Sequence, residues 1–337
     1  MKINFKVTTE CPANCICCRE RLLNFKKFSY VEKTREQLFT KILSIYKKVG
    51  DKENHLSITG GEPTLISNLP YFVKKMTEHN ITVGIDTNGW NINRKWLEEM
   101  EQAGLKYLLF SVYSLKREIY NHLRGAENGQ LFARMKEAIC VLKKYKEDGG
   151  TIQIRMQIVL MKPNFRELPI LLEEAIQSHF DSLSTAYYIS NEPEENILMD
   201  QSDIECFVKE VCPKMISIME KCNMDKALMD ANKQKIKSFF KIKDMNLEEL
   251  SKGIYRRSGC NCSEPNRISI YPNGVAVPCL GFDYIMDESY GLNIFDNEQY
   301  KKLFDNRFED FWKSDYALCE RCSSGYQVWL DLSFGRL

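Results

Sequence analysis

Ile3-Asn4-Phe5-Lys6-Val7-Thr8-Thr9-Glu10-Cys11-Pro12-Ala13-Asn14-Cys15-Ile16-Cys17-Cys18 opens the chain with a short β-like run that leads directly into four cysteines. The run reads as a strand over 3–7. Cys11, Cys15 and Cys18 behind it stand as Cys-x3-Cys-x2-Cys. Three thiolates on a tight loop can hold three irons of a cubane cluster and leave the fourth iron open, and thiolate is the usual iron–sulfur ligand. Zinc is the alternative, but structural zinc takes four ligands, usually in closely spaced pairs. Cys17 offers a fourth thiol, although its place next to Cys18 makes shared ligation awkward.

Working outward, the pattern of strand followed by amphipathic helix repeats. Strands are expected over 3–7, 55–59, 82–86, 107–112, 151–160 and 182–190, with helices over 36–49, 69–79, 94–103, 131–146 and 166–179. Such a series implies a parallel sheet with right-handed crossovers, either doubly wound or a partly closed barrel. In both, the functional loops lie at the carboxyl ends of the strands. The cysteine loop follows the first strand, and Gly60-Gly61-Glu62-Pro63 follows the second, so the two should meet on one face. From 191 to 258 the chain reads as charged helices without strands, a connecting or capping section. From 259 it is turn-rich, with a hairpin expected over 267–271 and 275–278 around Pro272-Asn273-Gly274. The organisation read from sequence is therefore 1–190, 191–258 and 259–337.

Cys-x3-Cys-x2-Cys after a first strand, together with Gly-Gly-Glu-Pro after a second, resembles the radical S-adenosylmethionine (SAM) superfamily. The resemblance covers the βα section, about 190 residues. It implies an α/β fold built on a partial (β/α)6 TIM-type barrel. It also implies SAM bound to the open iron through its amino and carboxylate groups. One electron, from a reduced flavodoxin- or ferredoxin-type donor, then splits SAM into a 5′-deoxyadenosyl radical that abstracts hydrogen from a substrate. Cys11, Cys15 and Cys18 would ligate this cluster, and Gly60, Gly61 and Glu62 would meet the SAM amino group. The chemistry of these residue types agrees. A carboxylate accepts hydrogen bonds from an ammonium, and glycines permit close backbone approach. Phe110-Ser111-Val112-Tyr113-Ser114 with Arg124-Gly125 resembles the fourth-strand region of the family. There Ser111 would contact the SAM ribose and Arg124, expected in a loop, its carboxylate; Asn88 is a further ribose candidate. One departure is Cys17, which stands where the family usually has an aromatic residue beside the adenine.

The second group of cysteines is Cys260-Asn261-Cys262, Gly274-x4-Cys279 and Cys319-x2-Cys322. Four convergent thiolates make either a tetrahedral zinc site or a fully ligated cluster. With Gly291-Leu292-Asn293-Ile294 and Phe311-Trp312-Lys313-Ser314, the pattern resembles the SPASM/twitch extension of radical SAM enzymes. Cys322 closes the series, which implies the shorter twitch form, a β-hairpin plus helix. It would carry one auxiliary 4Fe–4S cluster on Cys262, Cys279, Cys319 and Cys322, with Cys260 as the alternative to Cys262. The expected cofactors are thus SAM and two 4Fe–4S clusters.

This resemblance favours a radical enzyme acting on a ribosomally made peptide by cross-linking, oxidation or epimerisation. Ligation starting at Cys11 leaves peptide capture to a separate leader-binding protein or to 191–258. Sulfatase maturases of the family have an Asp after the second auxiliary cysteine; here Leu280 follows Cys279, which disfavours formylglycine formation. Asp283 is a candidate base. An epimerase would need a thiol to return hydrogen, and Cys222 and Cys212 are candidates. The alternatives are a radical dehydrogenase or epimerase of a sugar or aminocyclitol and, in another class, a non-catalytic zinc-binding protein.

Composition bounds the rest. The 337 residues are 44% hydrophobic and 28% charged, ordinary globular values. Lys plus Arg (47) nearly balances Asp plus Glu (46), without the basic excess of a dedicated nucleic-acid binder. No stretch nears the roughly 20 apolar residues of a membrane span, and no apolar segment of a signal peptide precedes the cysteines. Thirteen cysteines without an export signal point to a reducing, cytoplasmic setting.

Overall fold

The structure, a computed structural model, describes residues 1–18, 34–125, 129–187, 197–239, 267–277, 291–305 and 329–335. Its strands are two-faced. In β5 (Gln153–Leu160) Ile154, Met156, Ile158 and Leu160 are fully buried, while Gln153, Arg155 and Gln157 between them are not. β1 (Lys2–Lys6) repeats the alternation with Ile3 and Phe5 buried. Period-two alternation sends apolar side chains to the helix layer and polar ones into the concave face. Phe5 meets Phe39 of α1 (Arg35–Val49) edge-on at 5.1 Å, and Phe39 stacks on Phe72 of α2 (Leu69–Thr77) at 4.4 Å. These contacts fix the first helices on the first strand.

The units continue as β2 (Asn54–Thr59), β3 (Ile81–Thr87), α3 (Arg94–Gln102), β4 (Tyr107–Ser111), α4 (Arg117–Arg124), α5 (Gln130–Glu147), α6 (Leu168–Gln177) and β6 (Ser182–Tyr187). β1 to β6 lie side by side in chain order, every neighbouring pair parallel. This is the expected partial barrel, with strand bounds within two residues of the sequence reading at the ends described. α4 was not expected. Arg124, expected in a loop, is the last residue of this eight-residue helix, which buries Tyr120 and Leu123. So short a segment carries too few apolar repeats for its period to stand out.

Beyond the barrel, α7 (Gln201–Cys206), a π-helical turn Phe207–Val211, α8 (Cys212–Lys221) and α9 (Lys226–Ser238) form the helical section. The hairpin β7 (Arg267–Ile270) and β8 (Val275–Val277) follows, then β9 (Leu292–Asn293), α10 (Asn297–Asp305) and β10 (Trp329–Ser333). These last strands extend the barrel sheet. β7 pairs in parallel with β1, β8 and β9 continue antiparallel, and β10 runs antiparallel to β6, giving one ten-stranded sheet among the described residues. Buried Asn232 of α9 secures β10, donating to the Ser333 carbonyl at 2.6 Å and accepting from its N–H at 3.3 Å. Among the described residues, no helix is long and apolar enough to cross a membrane.

Candidate active site

Past β1, Val7 still donates to the Thr59 carbonyl, after which the chain leaves the sheet alongside the segment that follows β2. Gly61 N–H donates to the Thr8 carbonyl and Glu62 N–H to the Glu10 carbonyl, both at 2.7 Å. Gly60 sits at φ +124°, where a Cβ would drive into the Thr8 carbonyl; a Cβ on Gly61 would drive into the Glu10 carbonyl. The paired glycines are therefore required for one backbone to lie against another. On its other side the cysteine loop rests on the end of α4. Asn14 N–H donates to the Arg124 carbonyl (2.9 Å) and Ile16 N–H to the Leu123 carbonyl (3.0 Å). A loop pinned from both sides presents Cys11 exposed, Cys15 buried and Cys18 half-buried.

Glu62 is buried beneath this loop. Its Oε1 accepts from Thr64 N–H (2.9 Å), the Thr64 hydroxyl (2.7 Å) and the Thr87 hydroxyl (2.6 Å); its Oε2 accepts from Asn88 N–H (2.7 Å). Burial pushes this carboxyl above the usual carboxylate range, although the bonds from Thr87, Asn88 and Thr64 pull the other way. The network locks the loop after β3 to the loop after β2. It aims the Asn88 amide at the Cys11 sulfur, 3.6 Å away. Two residues earlier, Asp86 has a buried Oδ1 without a hydrogen-bond partner. Desolvation raises its carboxyl from an ordinary 3.8 to about 7, with Arg155 opposing and Glu62 adding.

Arg124 is buried with its Nη1 3.3 Å from the Cys15 sulfur, its Nη2 2.7 Å from the Ser111 carbonyl and its plane 3.9 Å from the Tyr113 ring centroid. Cys17 lies differently. Its thiol is buried 3.5 Å from the Tyr113 hydroxyl, and burial with Cys15 beside it pushes it up to about 12. The Tyr113–Leu115 turn is braced from below by Asn164, which donates to the Tyr113 carbonyl (2.9 Å), and by Glu167, which accepts from the Ser114 hydroxyl (2.8 Å).

Gly60, Gly61, Glu62, Asn88, Ser111, Arg124, Cys11, Cys15 and Cys18 are thus gathered at the carboxyl ends of β1 to β4. The bracing roles of Thr87, Asn164 and Glu167 escaped sequence reading, since a polar residue does not declare which distant partner the fold will give it. Cys212 and Cys222 lie in the helical section. The Cys212 thiol is buried against the Ile236 carbonyl (3.7 Å), and that of Cys222 donates to the Ile218 carbonyl one turn back (3.2 Å). Asp283, Cys260, Cys262, Cys279, Cys319 and Cys322 lie outside the described residues.

Among the described residues, no three Cys, His, Asp or Glu side chains surround a point where a single metal ion would sit. A cubane makes a different demand, because each thiolate binds its own iron. Hydrogen bonds to the sulfurs are part of such a site. Here Asn88 and Arg124 are aimed at the sulfurs of Cys11 and Cys15. The donor set and its surroundings fit an iron–sulfur cluster.

Comparison with known proteins agrees in fold. The structure of Streptococcus suis SuiB bound to precursor peptide SuiA superposes with a TM-score of 0.65 at 19% identity, over 96% of this chain and 69% of that one. A probable GTP 3′,8-cyclase of Pyrobaculum aerophilum is 29% identical over 124 residues, 37% of this chain and 38% of its own length. PqqA peptide cyclase of Granulibacter bethesdensis is 25% identical over 170 residues, 50% of this chain and 42% of its own. The chain thus spans about two fifths of either curated relative. Residues 5–174, which run from β1 through the cysteine loop to α6, match the model of the radical SAM superfamily, and the chain belongs to that superfamily.

Proposed function

We propose that this chain modifies a ribosomally made peptide, using a SAM-derived radical to abstract hydrogen from it. A 4Fe–4S cluster on Cys11, Cys15 and Cys18 would supply the electron that cleaves SAM to the 5′-deoxyadenosyl radical. The chain's own groups would do the rest. Asn88 and Arg124 donate toward the ligand sulfurs, Glu62 holds the two loops in register, and Gly60 and Gly61 let the cysteine loop close over the β2 end. Ser111, Asn88 and Oε2 of Glu62, which takes a single donor, would receive the SAM ribose and ammonium. The observation that carries this reading is the cysteine loop held between Gly60–Glu62 and α4 with donors aimed at two of its sulfurs.

The peptide class is supported by the likeness of fold to SuiB, solved with its precursor peptide, and by the match to a peptide cyclase. An auxiliary 4Fe–4S cluster on Cys262 (or Cys260), Cys279, Cys319 and Cys322 completes the proposal, as do a reduced flavodoxin- or ferredoxin-type donor and a separate leader-binding protein. A small-molecule substrate is the second reading, favoured by the local similarity to the GTP cyclase. The test begins with anaerobic reconstitution, where two cubanes give about eight irons per chain. Reduced protein is then incubated with SAM and the peptides encoded beside its gene. Formation of 5′-deoxyadenosine with a peptide mass shift supports the reading. 5′-Deoxyadenosine without any peptide change removes the peptide class.

A further inference from the structure

The opposite end of the barrel carries a feature that the radical chemistry does not use. A cavity of about 550 Å³ opens at the amino ends of the strands and reaches up the lumen as far as Leu109 and Arg155. Register places Arg267, Lys2 and His55 in one row across three adjacent strands, β7, β1 and β2. All three line the cavity, and Arg155 faces them from β5. Lys2 and Arg267 carry like charges at a directly paired position, where such charges repel. A ligand with several negative oxygens would turn that repulsion into attraction.

Asp86, in register with Arg155 through Leu109, already draws on that guanidinium from above the cavity. Asp181 is the acidic residue among its lining side chains, and it is held by Lys146 at 3.0 Å and by Ile154 N–H at 2.8 Å. Arg155 donates to the Ser182 hydroxyl at 3.2 Å and faces Asp331 only at 3.9 Å, both of that pair well exposed. Lys2 and Arg267 each have further contacts, so the row does not depend on their being unpaired. One layer higher, Asn4 lies beside Ser57 and Ser269. Asn4 and Ser57 line the cavity, whereas the buried, unpartnered Ser269 hydroxyl lies outside its lining. Cations below neutral donors, in a cavity of a size that small ligands occupy, suit a tetrahedral anion with many acceptor oxygens better than a lone carboxylate.

We infer that the amino-terminal mouth of the barrel binds the phosphate or pyrophosphate group of a small molecule, at a site distinct from the cysteine loop. The inference does not rest on the peptide reading. Its test is titration calorimetry on the full chain with its clusters reconstituted, using inorganic pyrophosphate, with citrate as the carboxylate control. Saturable pyrophosphate binding is expected, weakened at least tenfold in His55→Gln/Arg155→Gln and in Lys2→Gln, with SAM affinity unchanged in both and the thermal midpoint unchanged in Lys2→Gln. Lys2 is solvent-exposed, so its variant keeps the test valid should the double variant misfold. Absence of saturable binding, equal binding by Lys2→Gln and wild type, or citrate binding as tight as pyrophosphate would each overturn the assignment.

Discussion

The guanidinium of Arg124 lies 3.3 Å from the sulfur of Cys15, and that one contact ties the end of α4 to the centre of the cysteine loop. The same group reaches the Ser111 carbonyl at the end of β4, so three elements share a single buried cation. A cationic donor beside a thiolate stabilises it and favours metal ligation.

Replacing Arg124 by Gln should therefore strip the Cys15 sulfur of its charged donor and leave the Ser111 carbonyl short of one. A cost of about 2 kcal/mol in stability is expected from the lost buried bonds, with lower iron retention after reconstitution. Urea midpoints and iron per chain read the two effects separately. Lys at this position should recover part of the stability but less of the iron, because it lacks the fork that serves both partners.

Gly61→Ala tests the close approach of the two loops. Its Cβ would meet the Glu10 carbonyl, which is backbone and has little freedom to move. The substitution should cost about 1–3 kcal/mol and abolish SAM cleavage, because the cysteine loop is displaced. Gly50→Ala, at φ +69° with open space around it, should cost about 1 kcal/mol and leave cleavage intact.

Asp86 gives a pH signature. Its carboxyl is raised from 3.8 to about 7, burial being the main cause, so the folded state holds this proton more tightly than the unfolded chain does. Stability from this group is complete below about pH 4 and is lost as pH rises through 7. Asp86→Asn removes the penalty. The variant should come close to wild type near pH 4 and exceed it at pH 8 by on the order of 4 kcal/mol. Urea unfolding at the two pH values checks it, and an equal difference at both would contradict it.

Much of this was legible in the chain itself. Strands and helices of the barrel declared themselves because buried parallel strands alternate with long amphipathic helices, each marked by its own period. That the cysteine loop meets Gly60–Glu62 on one face was legible because each follows a neighbouring parallel strand, and close backbone approach demands glycine. α4 was too short to show its period. β10 was missed because its place beside β6 is set by a long-range pairing and by Asn232, neither written locally. Ser111, Asn88 and Arg124 were found through resemblance, but the partners they choose depend on the fold. Arg124 shows this best: residues 13 and 109 positions away along the chain supply its carbonyl and its sulfur.

The distinction between Cys17 and its neighbours brings the account to its sharpest test. Cys17 is buried against the Tyr113 hydroxyl, and the proposed ligand set leaves it out. Reconstituted, dithionite-reduced protein should convert SAM to 5′-deoxyadenosine, measured by chromatography. Cys17→Ala should retain that activity, and Cys11→Ala, Cys15→Ala and Cys18→Ala should each lose it. Cleavage that survives removal of all three, or that disappears with Cys17 alone while the protein stays folded, would contradict the account.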